Sequence, residues 1–327
     1  MTARIVIAAI IASSVLISVP AGAQNRDATD NYPSRAIRWI VPVPPGATTD
    51  ILSRLVGGKI AEAWNTQVVV DNRSGAAMIV GSEIIAKASP DGYTIGLLLS
   101  PHAVNPAVMK LPYDSIKDFQ PVSLIALVPG VLVTNLTVPV TSVKDVIALA
   151  KAKPGTLNYG SAGQMSSGHL SMELLNLMGG IKITHIPYKG GTPAIIDLVG
   201  GQIQFVILGP PTVMSHLQGG RLKAIATTAA KRSPGLPDVP TFIESGLPGF
   251  DTTEWYGVFA PANIPRAVLL KLNAEINRIL GLADVKERML TLGAVPAGNT
   301  PQEFAAFVKS ETERWGKVAR AVNLQPN

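Results

Sequence analysis

Two loops rich in glycine, serine and threonine carry residue types that could bind an anion through the protein backbone. The first loop (residues 43–49) joins an apolar strand to an amphipathic helix. Glycine lets a ligand approach the main chain closely, and the first N–H groups of a helix lack an intrahelical partner and lie at the positive end of its dipole. We therefore expect an anion site here, with the candidate residues Val43, Pro44, Gly46, Ala47, Thr48 and Thr49.

The second loop (residues 161–167) repeats this order of strand, small-residue loop and helix. If the two loops belong to different lobes and face one another across a cleft, they could hold the two ends of a small carboxylate. A simpler interpretation stays open, because threonines of the first loop and serines of the second could act only as helix N-caps. The candidate residues of the second loop are Ser161, Ala162, Gly163, Gln164, Ser166 and Ser167.

The elements that must position these loops alternate between short apolar strands and helices from Tyr32 onward, which predicts an α/β fold with mostly parallel sheets. Ser100 follows a buried strand at residues 93–99. Because ligands of open α/β sheets bind at the carboxyl ends of the strands, Ser100 is a further candidate. Two extended segments, residues 122–133 and 254–261, are interpreted as crossings from one lobe to the other.

The composition indicates a packed globular chain, since 47% of the 327 residues are hydrophobic and 15% are charged. Cysteine is absent, which excludes disulfide bonds and thiolate chemistry. The formal net charge of +6 suits acidic small molecules. Scattered basic residues, with no basic helix interleaved with aromatic residues, argue against nucleic-acid binding. The histidines show no metal-ligand spacing, so neither a metal nor a cofactor is expected.

The N-terminal segment predicts export. Arg4 is followed by the apolar residues 5–19 and then by Ala21-Gly22-Ala23, which is the order of charge, apolar core and small-residue cleavage site in a signal peptide. An uncleaved membrane anchor is the rival interpretation, but the apolar run is shorter than the ~20 residues that span a bilayer. We expect cleavage after Ala23 and a periplasmic protein.

Longer motifs are more specific than either loop alone. In order, they are YPSRAIRWIVPVPPGATTD (residues 32–50), SPDGYTI (89–95), LPYDSIKDFQPVSL (111–124), LNYGSAGQMSSGHL (157–170) and HIPYKGGTPAIIDLVGGQI (185–203). In these motifs and their order, the chain resembles the solute receptors of tripartite tricarboxylate transporters, the Bug family of periplasmic binding proteins. The resemblance covers essentially the whole chain beyond the signal peptide.

The resemblance implies a type II periplasmic-binding-protein fold, in which two Rossmann-like α/β lobes are joined by two crossover segments and close on a ligand. Lobe 1 would be discontinuous (residues 24–130 plus 257–327), and lobe 2 would comprise residues 131–256. A small carboxylate would bind between the first and second loops without catalysis. The expected partners are the membrane subunits of a transporter, and the receptor itself is expected to be a monomer.

Departures from the family pattern carry information about the ligand. Ile79 stands where asparagine is common in the family, and Leu208 stands where many members have an aspartate. An apolar wall would leave ligand hydroxyl or ammonium groups unsatisfied, at a cost of ~1–3 kcal/mol per group. This favours a carboxylate with an apolar body, such as an aromatic acid or a medium-chain dicarboxylate. Alternatively, these side chains point into the lobes. Tyr188 follows a strand end and could close over the ligand.

Two other classes of function are considered. An exported hydrolase could use Ser161 or Ser167 with His169, but there is no G-x-S-x-G elbow, and residues two apart on a helix do not face each other. A receptor that presents its closed form to a signalling partner would use the same ligand-driven closure as a transport receptor. The sequence does not separate signalling from transport.

Overall fold

The computed structural model describes residues 31–233, 235–321 and 324. The predicted signal peptide and its cleavage site lie outside these residues. The described chain has the mixed α/β architecture that the alternating pattern predicts, with two separate sheets and helices packed on them. None of the described helices is long and apolar enough to cross a membrane.

The strands and helices of the described residues are numbered along the chain. They are β1 (Ile37–Val41), α1 (Thr48–Trp64), β2 (Val68–Asn72), α2 (Ile79–Ala86), β3 (Thr94–Leu99), α3 (Pro101–Val108), β4 (Phe119–Val128), β5 (Val131–Asn135), α4 (Val143–Ala152), β6 (Asn158–Ser161), α5 (Ser167–Gly179), β7 (Thr184–Pro187), α6 (Gly191–Val199), β8 (Phe205–Leu208), α7 (Pro210–Gln218), β9 (Leu222–Thr227), β10 (Glu254–Pro261), α8 (Arg266–Leu280), α9 (Ala283–Thr291), β11 (Val295–Pro296) and α10 (Pro301–Ala321).

Within the described residues, the first sheet has the strand order β11-β4-β10-β3-β1-β2. β1 is parallel to both β2 and β3, whereas β10 is antiparallel to β3 and β4. The central strands are nearly continuous buried apolar runs because helices cover both faces of the sheet. As a result, α1 and α3, which follow β1 and β3, begin at the same edge of this sheet.

The second sheet has the order β7-β6-β8-β5-β9 in the described chain. β6 is parallel to β7 and β8, while β5 pairs antiparallel with β8 and β9. The parallel strands β6 and β8 are followed by α5 and α7, so these two helices also begin at a common edge. Each sheet packs with its helices into one lobe, and the main core cluster of the second sheet also includes Val104 of α3 and Trp315 and Val318 of α10.

The chain passes between the lobes twice, and the two passages lie side by side. β4 ends at Val128 and β5 begins at Val131 in the other sheet, while β10 returns next to β4. The returning strand begins at Glu254 and forms its ladder with β3 and β4, so residues 254–256, which the sequence-based division places in lobe 2, belong to the first sheet. The C-terminal helices α8 and α10 then pack on β4.

Three helices are absent from the sequence interpretation, namely α3, α7 and α9. The first two begin with proline, and α3 also contains Pro106, so their sequences have the signature of loops. Proline at the first helical positions is compatible with a helix because the N–H groups there have no intrahelical partner. Helix α6 begins without a side-chain cap, and its N-cap position is Gly190.

An aromatic cluster fixes β10 against the last helix. Trp255, Phe259 and Phe304 are fully buried and lie with ring centroids 5.0–6.3 Å apart. The Phe304 ring packs directly over Gly257 of β10, so a Cβ added at Gly257 would overlap it. Because the neighbouring rings leave Phe304 no room to move, Gly257 sets the distance between α10 and the sheet.

We expect Gly257→Ala to lower the free energy of unfolding by about 1–3 kcal/mol, the typical cost of overpacking a filled core. The matched control is Gly58→Ala on an exposed turn of α1, where an added Cβ meets no neighbour. That change should raise stability by up to about 1 kcal/mol through helix propensity. Urea unfolding of the two variants measures both effects, and equal midpoints for Gly257→Ala and wild type would contradict the packing argument.

Candidate functional site

A cavity of about 160 Å³ lies between the two sheets, where the starts of helices from both lobes converge. Lobe 1 contributes Thr48, the first residue of α1, and Glu254 and Tyr256 at the start of β10. The lobe 2 side contributes the starts of α5 and α7 and the end of β8. The residues that line the cavity are Thr48, Val128, Gly130, Ser167, Ser171, Ile207, Leu208, Gly209, Pro211, Thr212, Thr252, Glu254, Tyr256 and Leu292.

The first loop is held in shape by Asp50. Helix α1 begins at Thr48 with Ala47 at the N-cap position and no side-chain cap, so the N-cap role predicted for Thr48 or Thr49 is wrong. Instead, the buried Asp50 carboxylate accepts a hydrogen bond from the Gly46 N–H at 2.9 Å. It caps the loop from within the first turn of the helix, where a negative charge also suits the dipole.

Neighbouring side chains keep Asp50 ionised. Burial alone would raise the pKa of its carboxyl group, but hydrogen bonds from Arg54, the Gly46 N–H and Asn72 outweigh burial and hold that pKa below its usual range. The Asn72 amide donates at 3.1 Å and also donates to the Val43 carbonyl at 3.0 Å. Asp50 and Asn72 thus tie both ends of the first loop to the sheet.

The second loop is ordered by a serine cap and by paired histidines. Ser166 occupies the N-cap of α5 and its Oγ accepts from the His169 N–H at 3.4 Å, as predicted for a capping serine. His169 Nδ1 in turn accepts from the Met165 N–H at 3.1 Å. The His169 ring stacks on His185, with ring centroids 4.0 Å apart, and His185 Nε2 lies 2.7 Å from Ser161 Oγ.

These histidines support the loop as neutral groups. Burial lowers the pKa of His169 to about 3, with a contribution from the His185 charge, and burial lowers the pKa of His185 to about 4. Ser161 bonds His185 and the Gly163 carbonyl rather than facing the cavity. His169 therefore packs within lobe 2, and the Ser161–His185 contact also lies inside this lobe.

The start of α5 lies directly against the end of β8. A Cβ added at Gly168, in the first turn of α5, would overlap the Ile207 carbonyl oxygen. Glycine at this position therefore allows the backbone of the helix start to approach the strand and the cavity. The same close approach brings the Ser167 side chain and the Leu208 side chain to the cavity from adjacent elements.

A third helix start, that of α7, also reaches the cavity, although the sequence analysis predicts no helix there. Gly209 is its N-cap, and Pro210 and Pro211 open its first turn. Proline has no N–H, and the Thr212 N–H bonds the Gly209 carbonyl at 3.1 Å. The α7 start thus supplies the positive end of its dipole with few hydrogen-bond donors.

Glu254 is the acidic residue of the cavity, and sequence reasoning missed it. It is the first residue of β10, is 8% exposed, and its Oε1 accepts from the Ser100 N–H at 2.9 Å. The Ser100 and Ser167 hydroxyl groups also bond its carboxyl group. Burial raises the pKa of Glu254 above its ordinary value, and Glu311 on α10 adds to this rise. No local pattern marks this position, because its surroundings come from three distant segments.

The predicted site residues divide into three groups. Thr48, Ser167 and Leu208 line the cavity, and Ser100 holds Glu254 beside it. Ile79 begins α2 and packs against the aromatic core of lobe 1, and the Tyr188 hydroxyl donates to Asp197 within lobe 2 at 2.7 Å. The remaining predicted residues lie in the two loops that lead into α1 and α5, and these are Val43, Pro44, Gly46, Ala47, Thr49, Ser161, Ala162, Gly163, Gln164 and Ser166.

A larger cavity of about 400 Å³ lies at the two crossings, between Leu127, Pro129 and the middle of α10. The helix residues that line it, such as Phe307 and Arg314, come from the interior of α10, where backbone N–H groups are already bonded. It therefore lacks helix starts. Its basic lining residues are Lys231, Arg232 and Arg314, of which Arg232 pairs with Glu244 and Arg314 with Glu311. Among the described residues, no cluster of three or more His, Cys, Asp or Glu side chains could hold a metal ion.

Two α/β lobes joined by paired crossings, with helix starts of both lobes at one cavity, define a two-lobed solute-binding receptor. Residues 52–324 match the model of the tripartite tricarboxylate transporter family receptor. The chain belongs to this family of receptors. Its members are periplasmic receptors of small carboxylates that work with transporter subunits, so the chain is a receptor and not an enzyme.

Individual relatives agree with this assignment. The chain is 38% identical to the protein BugT of Bordetella pertussis over 89% of this chain and 90% of that one. The structure of R. palustris Rpa4515 with adipate has a TM-score of 0.79 and 36% identity, covering 90% of this chain and 100% of that chain. MatC from Rhodopseudomonas palustris, with bound malate, has a TM-score of 0.76 and 32% identity, covering 88% and 99%.

Because Asp50 shapes the first loop, Asp50→Asn should lower the free energy of unfolding at pH 7 by about 1–3 kcal/mol. The pKa of Asp50 is depressed in the folded state, so its contribution is present above the unfolded pKa of ~3.9 and is lost as pH falls through the folded pKa. The difference in the free energy of unfolding between wild type and variant should therefore become smaller below about pH 4. Urea unfolding at pH 7 and pH 3 measures this.

The matched control for that variant is Asp145→Asn. Asp145 caps the start of α4 by accepting from the Thr141 N–H at 2.9 Å, and its pKa is lowered by the same kind of hydrogen bond. It lies away from the cavity, so this variant should lose stability without losing ligand affinity, whereas Asp50→Asn should lose both. Unchanged stability of Asp50→Asn at pH 7 would show that the carboxylate does not anchor the loop.

Proposed function

We propose that this receptor binds a small carboxylate with an apolar body, such as a medium-chain dicarboxylate or an aromatic acid, between its lobes. The observation that carries the proposal is the convergence of the α1 and α5 starts on one small cavity. First-turn N–H groups of these helices, beginning at Thr48 and Ser167, would bind the carboxylate. The positive ends of their dipoles would stabilise it without a basic side chain.

The other walls of the cavity favour an apolar ligand body. Val128, Ile207, Leu208 and Leu292 line it, and its volume of about 160 Å³ is below the ~300–1,000 Å³ typical of pockets for drug-sized ligands. Of the residues Ile79 and Leu208, on which the expectation of an apolar wall rests, only Leu208 lines the cavity. The neighbour that binds adipate, a dicarboxylate with an apolar middle, supports this ligand class.

The wider role follows from the family. We propose that the receptor is exported with cleavage after Ala23, acts as a monomer, and delivers its ligand to the membrane subunits of a tripartite tricarboxylate transporter. Closure of the lobes around the two adjacent crossings would bring the first and second loops together on the ligand. The closed form would then be the one that the membrane subunits recognise.

A thermal-shift panel tests the ligand class. Adipate or benzoate at about one hundred times its dissociation constant should raise the melting temperature by on the order of 5 °C, because binding to the folded state alone stabilises it by about 2.7 kcal/mol. At the same concentration, citrate and aspartate, which carry additional polar groups, should raise the melting temperature much less. A large upshift with citrate or aspartate and none with the apolar acids would overturn the proposed ligand class.

Transport is tested with the membrane subunits reconstituted in vesicles. The radiolabelled acid that gives the largest thermal shift should accumulate only when the folded receptor is added outside, because the receptor is proposed to deliver the ligand to the membrane subunits. Heat-unfolded receptor is the matched control. Accumulation that is independent of the receptor would argue against delivery and in favour of a purely sensing role.

A further inference from the structure

The cavity contains a carboxyl group that the proposed binding of an anion by the helix starts does not explain. Among the described residues that line it, Glu254 alone carries a side chain that is charged in its ordinary state at neutral pH. It is more than nine-tenths buried, and the salt bridges of the described chain do not include it. A carboxylate ligand must therefore bind beside a second, buried carboxyl group.

The Glu254 carboxylate can accept one hydrogen bond more than its protein partners supply. One oxygen accepts from the Ser100 N–H, and the Ser100 and Ser167 hydroxyl groups bond the carboxyl group, so three donors come from protein. An ionised carboxylate has two oxygens with about four acceptor positions, so one position can face the cavity. A ligand with a hydroxyl group can donate to that position, whereas a plain hydrocarbon leaves it unsatisfied.

The same geometry constrains a ligand with two carboxylates. Two carboxylates that share a buried site cannot both remain ionised without strong repulsion, and the usual solution is one proton shared between them. Glu311 on α10 raises the pKa of Glu254, and Glu254 raises the pKa of Tyr256 on the same strand. The nearby cation Arg314 pairs with Glu311 at 2.9 Å and forms no salt bridge with Glu254. A second ligand carboxylate can therefore contact Glu254 only with uptake of a proton.

We propose that Glu254 is a specificity-determining residue that selects carboxylates presenting a hydrogen-bond donor to it, with hydroxylated medium-chain acids as the preferred class. This inference rests on the proposed carboxylate-binding function. It adds to that function a requirement for a hydrogen-bond donor at one point of the cavity wall. A dicarboxylate meets the requirement in its singly protonated form, so its binding is coupled to proton uptake.

Acids of equal chain length test the donor requirement in the wild-type protein. Isothermal titration calorimetry at pH 7 would compare hexanoate with 2-hydroxyhexanoate and 6-hydroxyhexanoate, which differ only in the presence and position of the hydroxyl group. At least one hydroxylated acid should bind about tenfold or more tightly than hexanoate, because a buried polar group penalises a ligand that leaves it unpaired. Equal affinity of all three acids would overturn the proposal.

Adipate tests the shared proton. Its affinity for the wild-type protein should fall by up to about tenfold per pH unit as pH rises over the range in which Glu254 and the ligand lose their shared proton. The affinity of the preferred hydroxylated acid should not fall over the same range, because this acid binds the ionised form of Glu254. A pH-independent affinity for adipate between pH 5 and 8 would overturn the proposal, since it would mean that no proton is taken up.

Glu254→Gln separates this role from a structural one. The glutamine Oε1 can still accept from the Ser100 N–H, and its amide donates to the cavity, so the variant should lose the preference for the hydroxylated acid and bind adipate with no pH dependence. Glu173→Gln is the matched control, because Glu173 lies on α5 and accepts from the Tyr159 hydroxyl outside the cavity. That control should retain the preference for the hydroxylated acid and the pH-dependent affinity for adipate. Melting temperatures verify that both variants are folded.

Failure of this inference and failure of the proposed function give different results. If none of these acids binds the wild-type protein, the carboxylate-binding function fails and the role of Glu254 fails with it. If hexanoate and adipate bind, but hydroxylation, pH and Glu254→Gln change nothing, the receptor function stands and the role of Glu254 is wrong.

Discussion

The candidate site depends on the polarity of the unit in which a parallel strand is followed by a helix. In that unit the helix begins at the carboxyl end of the strand, so β1 and β3 place the starts of α1 and α3 at one edge of the first sheet. β6 and β8 do the same for α5 and α7 in the second sheet. Where the edges face each other, several positive dipole ends converge, although no lysine or arginine is among the described residues that line the cavity.

The paired crossings determine what else reaches that cavity. β10 runs antiparallel to β4, and Glu254 at its start pairs with Val128 at the end of β4. Both residues therefore lie where the chain leaves one sheet for the other, and both line the cavity. Glu254 consequently finds one partner in each lobe, the Ser100 N–H at the start of α3 and the Ser167 hydroxyl group at the start of α5.

The sequence predicted features that depend on neighbouring residues and missed those that depend on distant ones. The cap at Ser166 is local, because the capping side chain and the helix start lie within a few residues. The α1 cap was predicted wrongly because Asp50 performs it from inside the helix. Helix α7 was missed because its two opening prolines are typical of a loop, and only its packing in lobe 2 shows that they begin a helix.

The chemistry of the cavity shows why a missing charge at one position does not define an apolar site. Leu208 stands on β8 where the family pattern predicts an aspartate, and this residue lines the cavity. A carboxyl group is nevertheless present, carried by β10 from the other sheet and inserted between the starts of α3 and α5. Because the hydrogen-bonding requirement of a ligand is set by all groups that face it, a substitution on one strand can be offset by a residue on another. The polarity of this cleft is therefore a property of the assembled lobes and not of any single segment.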